Sequence, residues 1–418
     1  MARQSSNEVA GAAQRNMFEH YRGVRNTSVA ICQPLAIEDY TVQPCPEVSP
    51  PKWHLGHTTW FFEEMLLTRY VDSYQRFNPD FAELFNSYYK GAGKHWIQAE
   101  RGQLSRPTVA EVLEYRQQVD TELLRFLQEE DPDTEILKLI ELGLHHEQQH
   151  QELLYMDIKY ILGVNPLLPC YATQPLPGSP EPSLDWVHIN EGVYEVGHGN
   201  DKEFSYDNER PRHKTYLYPC AIRQSLVTNG EFLAFIEAGG YEKPEHWLSK
   251  GYDFIKQHNI SAPLYWTRKN DDWYEFGLHG LRPLELNAPV CHISYFEASA
   301  FAAWSDARLP TEQEFEVALQ QGSIPSEQKR PLALQPYNAN AGNQLWCWTS
   351  SHYSPYPGFK TFDGPLHEYN GKFMCNQFVL RGGCVATPEG HLRYSYRNFY
   401  EPHQRWMFSG LRLARDEV

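Results

Sequence analysis

The sequence predicts a multidomain chain: an N-terminal α-helical four-helix bundle followed by a loop-rich α+β domain. Three observations carry this prediction. At 418 residues the chain exceeds what one ordinary core serves, so two domains are the natural expectation. Apolar residues recur with helical spacing over residues 1–163. A proline-rich stretch, residues 164–184, separates these from residues 185–418, where short apolar-aromatic runs alternate with Gly, Asn, Asp and Pro.

Within residues 1–163 each helix has its own signal. Ala10 to about Ile31 is one periodic segment. Pro50-Pro51 opens a second, running through Trp53, Leu55, Trp60, Phe61, Met65 and Leu66 to about Tyr70; proline in the first turn costs little. Asn78-Pro79 and Gly91-Ala92-Gly93 break the pattern between Val71 and Arg106. Thr108, with Glu111 three residues on, forms a capping box for the third helix. Pro132-Asp133 starts the fourth, from about Thr134 to Leu162. In residues 185–418 two helices are expected, near Asn229–Ala238 and Phe296–Ser305.

Composition narrows the function. A formal net charge of −16 argues against nucleic acid and anionic membranes as partners. Neither a spanning apolar run nor an N-terminal apolar signal core stands in the sequence, so a cytoplasmic location is expected. The eight scattered cysteines, with no C-x-x-C, read as free thiols of a reducing compartment.

The fourth helix carries His146-Glu147-Gln148-Gln149-His150. Leu139, Gly143, His146, His150, Leu153 and Asp157 share one face, so the two imidazoles point the same way. On the second helix Trp53, Gly56, His57 and Trp60 form one face. That favours His57 as the inward histidine and leaves His54 to pack or hydrogen-bond nearby. Three neutral imidazoles, His57, His146 and His150, with open positions between them, suit Zn²⁺ or Fe²⁺. The string also fits H-E-x-x-H, the zinc-protease signature. Its extended form requires Gly and His where Leu153 and Met156 stand, and the form with a later glutamate meets the proline linker instead. Glu147 is then no general base. It lies off the metal face, where it either orients a ligand or carries surface charge.

The second half carries a series of phrases in a fixed order. They include Val187-His188-Ile189-Asn190-Glu191-Gly192, Asn208-Glu209-Arg210-Pro211, Arg308-Leu309-Pro310-Thr311-Glu312-Gln313-Glu314-Phe315-Glu316, Gly342-Asn343, Arg381-Gly382-Gly383 and Gly410-Leu411-Arg412. Over roughly residues 185–415 these resemble the formylglycine-generating-enzyme and sulfatase-modifying domain, which implies a C-type-lectin-like fold. Physically most of the phrases are structural: Gly382-Gly383 permits a tight turn, and Arg308 with Glu312, Glu314 and Glu316 reads as a buried charge network. Cys384 stands where that family has Ser, and Arg393-Tyr394-Ser395-Tyr396-Arg397-Asn398 lacks its second cysteine, which counts against formylglycine formation.

A DinB-like helical bundle followed by this domain resembles the ergothioneine-type sulfoxide synthases. Ser49-Pro50-Pro51-Lys52-Trp53-His54-Leu55-Gly56-His57 and Arg101-Gly102-Gln103-Leu104-Ser105-Arg106-Pro107-Thr108 agree, and the resemblance covers nearly the whole chain. It implies non-haem Fe(II) held by His57, His146 and His150. The reaction it implies joins the sulfur of cysteine, or of a cysteine dipeptide, to C2 of trimethylhistidine (hercynine) with O₂. It further implies that Gln149 and Asn398 hold the histidine betaine with Phe399 beside its trimethylammonium, where an aromatic face attracts a cation. One branch of the family has a Tyr pair at the place of Tyr88-Tyr89, which supplies a proton donor near O₂. Branches that use γ-glutamylcysteine carry an acid where this chain has Tyr400, so free cysteine is the expected donor. Arg101 or Arg106 is available to its carboxylate, or to a structural salt bridge. The alternatives are a γ-glutamylcysteine or selenosugar (selenoneine) synthase, an ovothiol-type 5-histidylcysteine synthase and, from another class, a non-catalytic binding module.

Overall fold

The computed structural model describes residues 2–87, 89, 93–130, 132–325, 333–363 and 366–417, with side chains from residue 17 onward. The chain forms two compact units: Met1–Val164 with Gly364–Leu366, and Asn165–Asp363 with His367–Val418. No helix among the described residues is long and apolar enough to cross a membrane.

The first unit is built on four long helices, α1 (Ala2–Cys32), α2 (Pro51–Phe62), α3 (Val109–Glu129) and α4 (Thr134–Gly163). Helix α1 starts at Ala2 rather than Ala10. Residues 2–9 hold no proline or glycine to stop it, although they lack apolar periodicity. Pro51 occupies the first turn of α2, where its missing N–H is no loss. After Phe62 the helix runs on through a π-helical turn, Glu63–Leu67, and Thr68–Tyr70. The buried Glu63 carboxylate is satisfied there by the Tyr115 hydroxyl at 2.7 Å, the Tyr74 hydroxyl at 2.8 Å and the Phe77 N–H at 3.0 Å. The segment read as broken contains a single short helix, Phe81–Leu84, and a 3₁₀ turn, Gln98–Gln103, among its described residues.

The two helix starts expected at Thr108 and at Pro132-Asp133 are both found. The Glu111 N–H donates to Thr108 Oγ1 at 3.2 Å while the Thr108 N–H donates to the Glu111 carboxylate at 2.7 Å. At α4 the Ile136 N–H donates to Asp133 Oδ1 at 2.9 Å. Helix α2 packs on α3 and α4, and α1 packs on α4. Every residue of α2 is buried, as a centrally placed helix requires.

The second unit is a set of small sheets with short helices between them. Strands β1 (Trp186–Ile189), β4 (Cys220–Arg223) and β12 (Ala414–Asp416) form one antiparallel sheet. A second runs β10 (Asn398–Tyr400), β9 (Phe378–Arg381), β8 (Trp346–His352), β11 (Ser409–Gly410). The pair β2 (Gly192–Val196) and β3 (His213–Leu217) and the meander β5 (Trp266–Lys269), β6 (Asp272–Gly277), β7 (Gly280–Pro283) complete it.

Its helices are α5 (Asn229–Glu237), α6 (Ser249–Gln257), α7 (Tyr295–Trp304) and α8 (Glu312–Gln320). Helices α5 and α7 answer to the two expected; α6 and α8 were missed. The signal for α8 was in the sequence. Thr311 and Glu314 form the same capping box as Thr228 and Glu231 before α5 and Ser294 and Glu297 before α7. In the sequence the acids Glu312, Glu314 and Glu316 read as charge alone.

Those acids do form a network, with a different arginine each. Arg308 is bidentate to Glu314 at 2.8 Å, Arg397 is bidentate to Glu312 at 2.8 and 2.9 Å, and Arg381 pairs with Glu316. Gly382 and Gly383 have φ of +105° and +82°, a turn that side chains with a Cβ rarely adopt.

Candidate metal centre

Helices α2 and α4 bring His57, His146 and His150 together, with one ring nitrogen of each within 4.8 Å of the others. The ring centroids form a nearly equilateral triangle of 4.9, 4.8 and 4.7 Å. His57 and His146 are buried and His150 is partly exposed. One face of α2 sets His57: its ring stacks on Trp53, one turn earlier, at 4.6 Å and on Trp60, one turn later, at 5.6 Å. His57 Nδ1 lies 2.6 Å from the Phe85 carbonyl, which can only accept. The ring is therefore protonated at Nδ1, and its Nε2 lone pair faces His146 Nε2 at 3.2 Å.

Both glycines read on these faces permit close approach. A Cβ at Gly56 would lie 2.2 Å from the Phe85 ring, and one at Gly143 2.7 Å from Phe62 and 2.9 Å from Phe61. The space at Gly143 thus serves Phe61 and Phe62, and Phe61 in turn packs on His146 at 4.8 Å.

The cluster fits a metal ion. Two nitrogens each about 2.1 Å from one ion are about 3.0 Å apart at a right angle and about 3.4 Å apart at a tetrahedral one. The 3.2 Å separation of His57 Nε2 and His146 Nε2 falls between. Burial, reinforced by the neighbouring imidazoles, holds His57 and His150 well below the ordinary histidine range. Burial likewise brings His146 down to about 3, against the opposing pull of Glu147. Three neutral imidazoles with converging nitrogens are a ligand set for a borderline divalent cation.

Glu147 is neither base nor surface charge. It is fully buried and turned to α1 and α3. Its carboxylate accepts from Arg25 at 2.9 Å and from the Ser28 hydroxyl at 2.5 Å, and it pairs closely with Arg116. Burial alone would raise its pKa, but the two guanidinium groups overcome that and hold it at about 2. A proton-accepting role for the glutamate of H-E-x-x-H is excluded by these partners.

Known proteins match both halves. Residues 20–154 match the DinB superfamily, and residues 174–336 match the sulfatase-modifying factor enzyme 1-like domain. A hercynine oxygenase of Mycobacterium tuberculosis is 30% identical over 317 residues, 69% of this chain and 73% of that protein. The hercynine oxygenase of Mycolicibacterium smegmatis is 33% identical over 311 residues, 66% of this chain and 71% of the relative. This chain belongs to the hercynine oxygenase family. The ergothioneine biosynthesis protein 1 of Schizosaccharomyces pombe is 27% identical over 238 residues, 51% of this chain and 28% of that protein. As a member of the hercynine oxygenase family the chain is an enzyme of oxygenase type.

The remaining residues singled out from the sequence fall in several places. Tyr88 lies outside the described residues. Tyr89 is buried, and its ring stacks at 5.7 Å on Trp60, which itself stacks on His57. Its backbone is pinned by the Asn86 side chain, which accepts from the Tyr89 N–H at 3.1 Å and donates to the Tyr89 carbonyl at 3.0 Å. Gln149 is half-buried on α4, between the two histidines of that helix.

Arg101 is buried, with its guanidinium 3.3 Å over the Trp53 ring, and donates to the hydroxyls of Ser49 at 2.8 Å and Ser87 at 2.9 Å. Arg106 is exposed and donates to the Ser105 carbonyl at 2.9 Å.

In the second unit Asn398, Phe399 and Tyr400 make up β10, paired with β9, and all three are half-buried. The Phe399 ring stacks on Tyr353 at 4.1 Å and on Phe373 at 5.8 Å. Tyr400 meets Trp406 edge-on at 5.5 Å. Arg397 is structural: besides Glu312, it lies 3.9 Å over the Tyr356 ring.

Proposed function

We propose that this chain is an iron(II)-dependent sulfoxide synthase of ergothioneine biosynthesis, joining cysteine sulfur to C2 of trimethylhistidine at the expense of O₂. The observation that carries this reading is the convergence of His57, His146 and His150 in a chain of the hercynine oxygenase family. In this reading His57, His146 and His150 hold the metal.

The overall reaction balances. The C2–H and S–H bonds break, the C–S and S=O bonds form, and one O₂ takes four electrons. Two of these come from forming the C–S bond and two from oxidising sulfur. One oxygen atom ends in the sulfoxide and the other in water. Iron, when bound, supplies the activation of O₂ and lowers the pKa of the thiol.

The protein's own residues do the rest. Three neutral ligands add no negative charge to a dication, so a substrate thiolate is attracted to the site. Phe399 is assigned to the trimethylammonium group, which cannot donate strong hydrogen bonds, while Gln149 and Asn398 are assigned to the polar end of the betaine. At least one of Tyr88 and Tyr89 is assigned as the proton donor. A phenol delivers a proton without competing for the metal as a carboxylate would. Tyr400 offers no carboxylate for the amino group of a γ-glutamyl moiety, which favours free cysteine. Arg106 remains a candidate for the donor's carboxylate. Arg101 is the weaker candidate, because its guanidinium already stacks on Trp53 and bonds Ser49 and Ser87.

The test is reconstitution with Fe(II) in air with trimethylhistidine and, separately, cysteine, γ-glutamylcysteine or a selenosugar, with products identified by mass. The expected product is the cysteine adduct carrying one added oxygen. Absence of an adduct with every donor sinks the synthase reading. A γ-glutamylcysteine or selenosugar adduct alone overturns the choice of donor. In the same assay, joint replacement of Tyr88 and Tyr89 by Phe is expected to divert turnover to oxidation of the thiol alone. An unchanged sulfoxide yield removes both from the reaction.

A further inference from the structure

We infer that Asp157 and His54 form a positioning relay that fixes the tautomer of His150 and presents its Nε2 to the metal. The inference rests on the metal-centre reading above and assigns two residues that reading does not use. His54 and Asp157 are both buried, at 2% exposure each. Asp157 Oδ2 accepts from the Ser49 N–H at 2.9 Å and lies 2.9 Å from His54 Nε2. A backbone N–H can only donate, so this oxygen is acting as an acceptor, and His54 meets it with an Nε2–H. When His54 is neutral it carries its one proton on Nε2, which leaves Nδ1 as a lone pair. That lone pair stands 2.8 Å from His150 Nδ1. The contact is a hydrogen bond only if His150 carries its proton on Nδ1. His150 Nε2 is then the lone pair that joins His57 and His146.

The relay parallels the arrangement at His57, where the Phe85 carbonyl fixes Nδ1–H by the same logic. Metal-bound histidines generally donate their second N–H to a fixed acceptor, and here the acceptor is a fourth imidazole, His54, backed by a carboxylate. The relay also joins the two ligand helices. Asp157 stands two turns beyond His150 on α4, and His54 stands one turn before His57's own turn on α2. Its far end is anchored in turn, because the Ser49 hydroxyl accepts from Arg101.

The experiment measures Co(II) affinity anaerobically by chelator competition, together with the solvent-exchangeable, paramagnetically shifted imidazole N–H signals of the Co(II)-loaded protein. Melting of the metal-free protein reports the fold. His54→Phe keeps a ring but removes the acceptor. It is expected to weaken Co(II) binding by roughly 10–100-fold, the usual effect of removing such a partner, and to lose the N–H signal of His150 to solvent exchange. His54→Asn places an amide oxygen near the site of Nδ1 and is expected to recover most of that loss.

Wild-type affinity and an intact signal in His54→Phe overturn the relay while leaving the metal centre standing. A wild-type protein that takes up neither Co(II) nor Fe(II) sinks the metal reading and the relay with it. Should His54→Phe fail to fold, Asp157→Asn against Asp157→Leu makes the comparison from the far end. The amide keeps an oxygen for His54 and the leucine does not, so equal affinities for these two variants overturn the proposal.

Discussion

Replacing His57 by alanine is expected to remove metal binding at micromolar protein, and turnover with it, while the metal-free chain still folds. Sites with four protein ligands hold Zn²⁺ by about 10–16 kcal/mol, so one ligand is worth on the order of 3–4 kcal/mol, or roughly 10²–10³ in affinity. His57 contributes more than a count suggests. Its Nδ1 is committed to Phe85 O and its ring is clamped between Trp53 and Trp60, so its Nε2 needs no reorganisation to bind. The alanine variant leaves a hole between two indoles, which costs the fold about 1–3 kcal/mol, less than would unfold an ordinary domain. The measurement is metal content after desalting, beside the melting curve of the metal-free protein. Full metal retention after His57→Ala, with complete loss after His54→Ala, would mean that the roles of the two histidines on α2 are reversed.

Replacing Glu147 by glutamine is expected to destabilise the helical unit by about 3–5 kcal/mol, the cost of leaving buried charge without its partner. Glutamine still accepts from Ser28 but leaves Arg25 and Arg116 facing each other across a neutral group. Asp120, which accepts from Arg25 Nε at 2.6 Å, relieves only one of them. For a unit of this size that corresponds to a fall of on the order of 10 °C in the helical melting midpoint. Circular dichroism of the metal-free variant reads it. If Glu147 were instead the base of a metallohydrolase, glutamine would leave the melting midpoint alone and abolish hydrolysis. That outcome would refute a structural role for Glu147.

The two expectations about Glu147 and Arg101 show where sequence reasoning stops. H-E-x-x-H places Glu147 one step around the helix from the ligands, and that much is local geometry. Whether this step faces water or a neighbouring helix is set by what packs there. Arg25 and Arg116, distant in sequence, make it a buried, doubly paired acid. Arg101 is legible as a cation for the donor's carboxylate or for a structural salt bridge. Its stacking on Trp53 needs the return of the chain through the 3₁₀ turn Gln98–Gln103, which no local pattern announces. Helix α8 is a different matter, because its capping box, Thr311 with Glu314, is a local signal.

What the sequence by itself determined is what neighbours along the chain determine. Helix starts at Thr108 and Asp133 follow from a side chain reaching a backbone N–H three residues on. The common face of His146, His150 and Asp157 follows from 3.6 residues per turn, as does the face that carries Trp53, His57 and Trp60. Membership of the hercynine oxygenase family was legible in the same way, from ordered short phrases. Only the tertiary structure decided which ring nitrogen His57 and His150 turn to the cluster. A tautomer is chosen by the partner on its other side, and those partners — the Phe85 carbonyl for His57, His54 backed by Asp157 for His150 — arrive from sequence positions that only packing brings near.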